Sequence, residues 1–169
     1  MTTHQLTCQQ TRSLTNHRVF NSDLNEHGTV FGGQILSMVD DSSSIAAAVA
    51  ARQVTVTVTM DHINFIAPYR LQDAMIFESF VTGTSHRSLE VFVKGLGEHL
   101  MTGERFLGFS CFVTFVTDSK PADPELPLIV PETDEERFLC AGYANRLAQR
   151  RTHRDDERTL REHLDLSSH

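Results

Sequence analysis

The chain has no apolar run long enough to cross a bilayer. Its longest, Ile45 to Ala51, falls far short of the roughly 20 residues that a membrane helix needs. The N-terminus, Met1-Thr2-Thr3-His4-Gln5, has neither a basic nor an apolar region, so no secretory signal is expected. Cysteine is scarce. Cys8, Cys111 and Cys140 are odd in number and widely spaced, and that spacing fits neither a disulfide framework nor a zinc motif. Lysine is nearly absent, with Lys94 and Lys120 alone, so the basic content is almost all arginine. At a net charge of -7 the chain lacks the broad basic surface that nucleic acid requires. A few well-placed arginines can still bind a small polyanion. These absences point to the cytoplasm, with no membrane and no nucleic-acid partner.

The 169 residues suit one domain that buries a core without metals or disulfides. Hydrophobic residues at 40% and charged residues at 22% favour a folded chain over a disordered one. Residues 1–10 read as a frayed tail. Residues 11–20 read as a strand ending in Val19-Phe20, and Asn21 to Gly33 as a loop rich in Asn, Asp and Gly. A helix is expected from about Gly33 to Ala51, roughly 28 Å long, with Ile35, Leu36, Val39, Ala46, Val49 and Ala50 as its apolar stripe. Its second half is almost all Ser and Ala, which lets a curved sheet come close. Val54 to Met60 alternates strictly, with Val54, Val56, Val58 and Met60 on one face, and Pro68 ends the extended piece that follows. Further strands are expected over Ala74–Val81, Ser88–Lys94 and Arg105–Thr117, with turns at Gly83–Arg87 and Gly95–His99. Lys120 to Pro131 is a proline-rich linker. Pro131-Glu132-Thr133-Asp134-Glu135-Glu136 opens a second helix, its acids in the first turn where the dipole favours them. That helix continues past Arg151, with fraying over 152–169. The order of elements argues for α+β, an antiparallel sheet around one helix.

Three segments carry candidate chemistry. Asn25-Glu26-His27-Gly28-Thr29-Val30-Phe31-Gly32-Gly33 runs into the long helix. Two glycines at a helix start bare a region of unpaired N–H groups that can hold an oxyanion or a polarised carbonyl. The same glycines equally suit a loop that merely has to turn. Asp40-Asp41 lies about two turns into the helix, where Asp is a poor choice. A carboxylate set beside the apolar stripe could act as base or nucleophile; alternatively both face solvent. Gly83-Thr84-Ser85-His86-Arg87-Ser88 combines hydroxyls, a turn and an arginine, which suits phosphate but also an ordinary polar hairpin. Asp61 and His62 follow the clearest strand, but without a nucleophile elbow they do not make a Ser–His–Asp site. The remaining histidines lack metal spacing. The run Arg146, Arg150, Arg151, Arg154 reads as a solvated helix face.

Taken together, Asn25-x-x-Gly28, Phe31-Gly32-Gly33 and, seven residues on, Asp40 resemble the signature of hotdog-fold acyl-CoA thioesterases of the YciA and brain acyl-CoA hydrolase type. Val54-Thr55, Asp61-x-x-Asn64-Phe65-x-x-Pro68, Asp73, and Thr84-Ser85-His86-Arg87-Ser88-Leu89-Glu90 continue the resemblance, as does Pro131 to Glu136 with the arginines after it. It covers roughly residues 12–150.

The resemblance implies a hotdog fold: an antiparallel sheet wrapped around one long central helix, plus a C-terminal helix. Residues 1–118 would form the thioesterase domain, and residues 119–169 a linker and charged helix or tail. It implies a homodimer with active sites at the subunit interface, and a hexamer built as a trimer of dimers. The substrate would be acyl-CoA, with no metal and no cofactor beyond the CoA of the substrate. Asp40 takes the catalytic carboxylate position and Asn25, from the other subunit, the catalytic asparagine position. Gly32 and Gly33 fall where the thioester carbonyl is polarised, and Thr84, Ser85, Arg87 and Ser88 where CoA is contacted. Two departures stand out. Gln72 replaces the glycine that commonly precedes Asp73, and lysines that often hold the CoA phosphates are missing, so arginines would substitute. The alternative reading is a non-catalytic acyl-CoA-binding hotdog module. A hotdog dehydratase would want a histidine on the central helix, which has none.

Overall fold

In the computed structural model the described residues are 4–120 and 124–167. Residues 1–3, 121–123 and 168–169 lie outside them, and with these go parts of the expected N-terminal tail, linker and C-terminal tail. The elements are β1 (Gln5–Thr7), α1 (Cys8–Thr11), β2 (Ser13–Arg18), α2 (Gly32–Ala51), β3 (Thr55–Phe65), β4 (Asp73–Thr84), β5 (Ser88–His99), β6 (Glu104–Thr117), β7 (Leu128–Val130), α3 (Asp134–Ala141) and α4 (Tyr143–Glu162). Five strands form one antiparallel sheet in the order β2-β4-β5-β6-β3. Its inner face packs on α2, as the α+β reading expects. Val39, Ala46, Ala47 and Ala50 of the helix meet a core that includes Met75, Phe77, Val91, Val93, Val113 and Phe115. The small residues bring helix and sheet close enough for the hydroxyls of buried Ser42 and Ser79 to bond at 3.1 Å. Arg52, in the left-handed region at φ 53, ends α2 with its N–H on the Ala48 carbonyl.

Several boundaries differ from those expected, each for a local reason. Cys8–Thr11 is a helical turn, because Thr7 and Gln10 form a reciprocal cap at its start; the following strand is therefore Ser13–Arg18. Residues 5–7 of the expected tail pair in parallel with residues 128–130 of the expected linker. Gly95–His99 is not a turn. β5 continues to His99, and the chain reverses at residues 100–103, where Gly103 takes φ +74. Gly95 serves a different need. It lies with Gly108 under the buried Tyr69 ring, and a Cβ at either would come within 2.5 Å of the Tyr69 hydroxyl.

β3 reaches Phe65, beyond the expected Met60, and carries a bulge between Thr57 and Thr59. A bulge reverses which side chains face inward. Met60 packs on the core, while Val54, Val56 and Val58 are 69%, 50% and 51% exposed.

The C-terminal helix is two, α3 and α4, meeting at Gly142. They lie with α1 against the outer face of the sheet, where Cys8, Phe80 and Leu139 form a second small core with Phe92, Phe112 and Cys140. The arginine run is only partly solvated. Arg146 and Arg150 clasp the carboxylate of Glu90, which is 0% exposed, at 2.8 and 2.6 Å, and the Thr82 hydroxyl donates to it at 2.6 Å. The Arg146 guanidinium also lies 4.0 Å from the centre of the Phe112 ring. Among the described residues no helix is long and apolar enough to cross a membrane.

Candidate active site

The loop leading into α2 is a small, tightly bonded structure. Leu24 and Val30 pair as an isolated bridge, and the Asn25 N–H donates to the Thr29 carbonyl at 2.8 Å. Between them Gly28 takes φ +72, a conformation that a side chain would strain. The Asn25 side chain braces this turn. Its Oδ1 accepts the N–H of His27 at 2.9 Å and of Thr29 at 3.2 Å, and its Nδ2 donates to Thr29 Oγ1 at 3.1 Å. An amide nitrogen has two N–H groups, so one remains for a ligand or a second chain. Upstream, the buried Asp23 carboxylate accepts the Phe20 N–H at 2.7 Å and contacts His17 Nε2 at 2.9 Å. Burial alone would raise the Asp23 carboxyl; the Phe20 N–H and the His17 contact outweigh it and hold it below its usual value. The Asp23 carbonyl in turn takes the N–H of Phe31 at 2.9 Å, which sets the entry to α2.

At the head of α2, Phe31 is the cap residue and offers no side-chain acceptor. The first bonds back to it come from Gln34 and Ile35, so the N–H groups of Gly32 and Gly33 begin the helix without helical partners. An apolar cleft of about 300 Å³ opens beside them, lined by Val30, Gly32, Ile35, Phe65, Ile66 and Tyr69 among others. Two turns on, the Asp40-Asp41 ambiguity resolves geometrically. Asp41 is exposed, whereas Asp40 is half-buried and turned toward β3, where the Thr57 hydroxyl donates to its Oδ1 at 2.7 Å. The bulge that follows Thr57 is what leaves it on the helix side of β3. The strand's alternation gave no sign of this, since it set the valines rather than the threonines apart as the distinctive face. No hydrogen bond joins Asn25 to Asp40 within the chain among the described residues; each is fixed by its own neighbours.

The segment Thr84–Ser88 lies at the far end of the sheet. The Ser85 N–H donates to the Ser88 carbonyl at 2.8 Å, and the two serine hydroxyls bond at 3.0 Å, closing a tight turn. Thr84 gives its hydroxyl to the Pro127 carbonyl, and Arg87 Nη2 donates to the Thr117 carbonyl, both at 2.7 Å. Thr84, Ser85 and His86 line a cleft of about 430 Å³ with Glu125 and Arg151. Ser88 lines a separate, tighter one with Asp61, Thr114, Arg150 and Arg154. The structure thus brings the arginines of α4 to the predicted CoA-contact segment, which the helix's charge pattern alone did not indicate.

The turn before β4 shows the consequence of one departure. Gln72 stands at φ 71, the left-handed conformation that glycine adopts freely. Asp73 holds that turn by accepting the Arg70 N–H at 2.8 Å, and its other oxygen contacts His99 Nδ1 at 2.6 Å. No cluster of three or more His, Cys, Asp or Glu able to hold a metal occurs among the described residues.

Comparison with known proteins bears on this arrangement. The thioesterase superfamily model matches residues 27–103. The chain is 41% identical over 154 residues to YkhA of Bacillus subtilis, described as an uncharacterized acyl-CoA thioester hydrolase, and the match covers 90% of each. Among solved structures, an acyl-CoA hydrolase from Bacillus cereus superposes with a TM-score of 0.90 at 37% identity, covering 96% of this chain and 99% of that one. An apo-hexameric acyl-CoA thioesterase gives a TM-score of 0.83 at 31% identity, covering 88% of this chain and 96% of its own.

Proposed function

The chain belongs to the thioesterase superfamily and, within it, to the hotdog-fold acyl-CoA thioester hydrolases; on that premise we propose that it cleaves acyl-CoA to a carboxylic acid and CoA at a site shared by two copies of the chain. The observation that carries the reading is the Asp40 carboxylate, fixed through Oδ1 by the Thr57 hydroxyl at 2.7 Å on a helix whose first N–H groups are free of helical partners. The thioester carbonyl lies over the start of α2. There the N–H groups of Gly32 and Gly33, of the copy that also supplies Asn25, receive the developing oxyanion, aided by the helix dipole. The Asp40 that serves this carbonyl comes from the other copy, because Asp40 of the same helix lies about 11 Å further along it. The apolar cleft at Val30, Ile35 and Phe65 suits the acyl chain.

Asp40 acts as general base through Oδ2, the oxygen that Thr57 leaves free. It takes a proton from a water whose oxygen bonds to the thioester carbon. The tetrahedral adduct then collapses, the C–S bond breaks, and the CoA thiolate takes up the proton that Asp40 had accepted. Asn25 of a second copy presents its remaining amide N–H to the water or the carbonyl. At the nucleotide end, Thr84, Ser85, Arg87 and Ser88 contact CoA with the α4 arginines beside them, and Arg87 Nη2 also braces the turn through the Thr117 carbonyl. No step calls on a group other than this chain's own and the substrate.

Assembly follows from β3. It is a long edge strand with exposed Val56 and Val58, preceded by exposed Val54, the kind of surface that a second chain covers. A dimer through this edge supports sharing of the site, and the hexameric thioesterase neighbour supports assembly of three such dimers. Residues 1–118 carry the chemistry, and residues 119–169 form the linker and the helical cover.

The test is thiol release from a series of acyl-CoAs, from acetyl to palmitoyl. Asp40→Ala is expected to stay folded and lose about 10²–10⁴-fold in turnover. Full retained activity contradicts the role given to Asp40. No release from any substrate by the unaltered protein points instead to an acyl-CoA-binding module.

A further inference from the structure

Two of the three cysteines, 132 positions apart, meet on the outer face of the sheet with their sulfurs 3.6 Å apart. Cys8 begins α1 and is completely buried, whereas Cys140 lies near the end of α3 and is half-buried, so the two thiols differ in access. Their surroundings bring them together for reasons unrelated to each other. Cys8 is positioned by the Thr7–Gln10 cap and by Thr11, whose hydroxyl donates to the Cys8 carbonyl at 2.8 Å and accepts the Val81 N–H at 3.0 Å. Cys140 is carried by the helical layer that Glu90 anchors, and Arg146 of that anchor also donates to the Leu139 carbonyl at 2.7 Å. A disulfide needs its sulfurs about 1.5 Å closer than this. Cys111, the third, is buried among Val93, Val113 and Phe115 on the opposite face of the sheet.

We propose that Cys8 and Cys140 form a redox-active dithiol that exchanges with small organic disulfides and closes into an intrachain disulfide joining the N-terminal turn to the C-terminal helices. Cys140 is the entry point. Its sulfur is the more accessible, and the hydrogen bond from Cys8, with Arg146 nearby, draws its thiol below the ordinary value, while the same contact holds Cys8 up. The Cys140 thiolate attacks one sulfur of the incoming disulfide, the S–S bond breaks, and the first small thiol leaves. Cys8 then attacks Cys140 in the mixed disulfide and expels the second small thiol, its proton passing to that leaving group. Two protein thiols are oxidised and one small disulfide is reduced to two thiols. The reaction stands apart from thioester cleavage and does not depend on it.

Equilibrating the full-length protein with oxidised glutathione and counting thiols after denaturation tests this. The reduced chain titrates three thiols, and the oxidised chain is expected to titrate one, Cys111, with a peptide linking Cys8 to Cys140 and no added mass. The melting temperature should rise by roughly 5–15 °C and return with dithiothreitol. Cys8→Ser and Cys140→Ser should each abolish the linked peptide, and Cys111→Ser should keep it. Three titratable thiols after equilibration overturn the proposal. So does glutathione that stays on Cys140 without being displaced by Cys8.

Discussion

Thr57 faces Asp40 from β3 and spends its hydroxyl on that carboxylate at 2.7 Å. A bond to a charged group of this kind contributes about 1.5–3 kcal/mol. Removing it releases the carboxylate to rotate without altering the oxyanion donors at Gly32 and Gly33. Thr57→Val should therefore lower kcat by about 10–100-fold and leave KM nearly unchanged, and Thr57→Ser should restore most of the rate. A purely structural role for Thr57 would move both parameters, or neither, and serine would make no difference. The two residues were not equally legible. The Asp40-Asp41 pair drew notice because Asp is a poor choice inside a helix, but the residues alone left open that both face solvent, and it was the resemblance that singled out Asp40. Thr57 was hidden, since in Val-Thr-Val-Thr the valines look like the face that matters until the bulge fixes the phase. Gln72 is a milder case. The absence of glycine before Asp73 was visible in the sequence, but only the backbone shows that the position is left-handed.

At the scale of elements, the long helix and the antiparallel strands could be read from periodicity. What escaped were the contacts that decide where elements stop and how layers join. Gly95 and Gly97 resemble turn residues. They are strand residues instead, covered by the rings of Tyr69 and Phe106, a tertiary demand that no local pattern records. The arginines of α4 look like a solvated face, yet two of them are committed to Glu90, which alternation along β5 could not distinguish from an exposed strand acid. A buried carboxylate held by two guanidinium groups and a hydroxyl is costly to unbalance. Replacing Glu90 by Ala leaves Arg146 and Arg150 without their partner over an apolar face. Denaturant unfolding of Glu90→Ala should show a loss of about 3–5 kcal/mol, with α4 released first. A change under 1 kcal/mol would mean that the helical layer is held by its apolar contacts alone.

For the whole molecule, the arrangement of the two catalytic candidates matters most. Asn25 braces its own loop and keeps one amide N–H free; Asp40 lies two turns along α2 and bonds across to the edge strand. Among the described residues no bond joins the two, while the strand beside Asp40 exposes Val56 and Val58, with Val54 just before them, where a second copy would pair. A shared site makes a quantitative demand that a site within one chain does not. Mixing Asn25→Ala with Asp40→Ala, each inactive alone, and allowing the chains to exchange creates hybrid dimers. In each hybrid one site combines an intact Asp40 with an intact Asn25 and the other lacks both. At equal mixing half the dimers are hybrids with one working site, so thiol release from acyl-CoA should recover to about a quarter of the unaltered rate. Recovery near that level is the predicted result, and a mixture that has demonstrably exchanged subunits yet stays as inactive as its parts would contradict a site completed by Asn25 of a second chain.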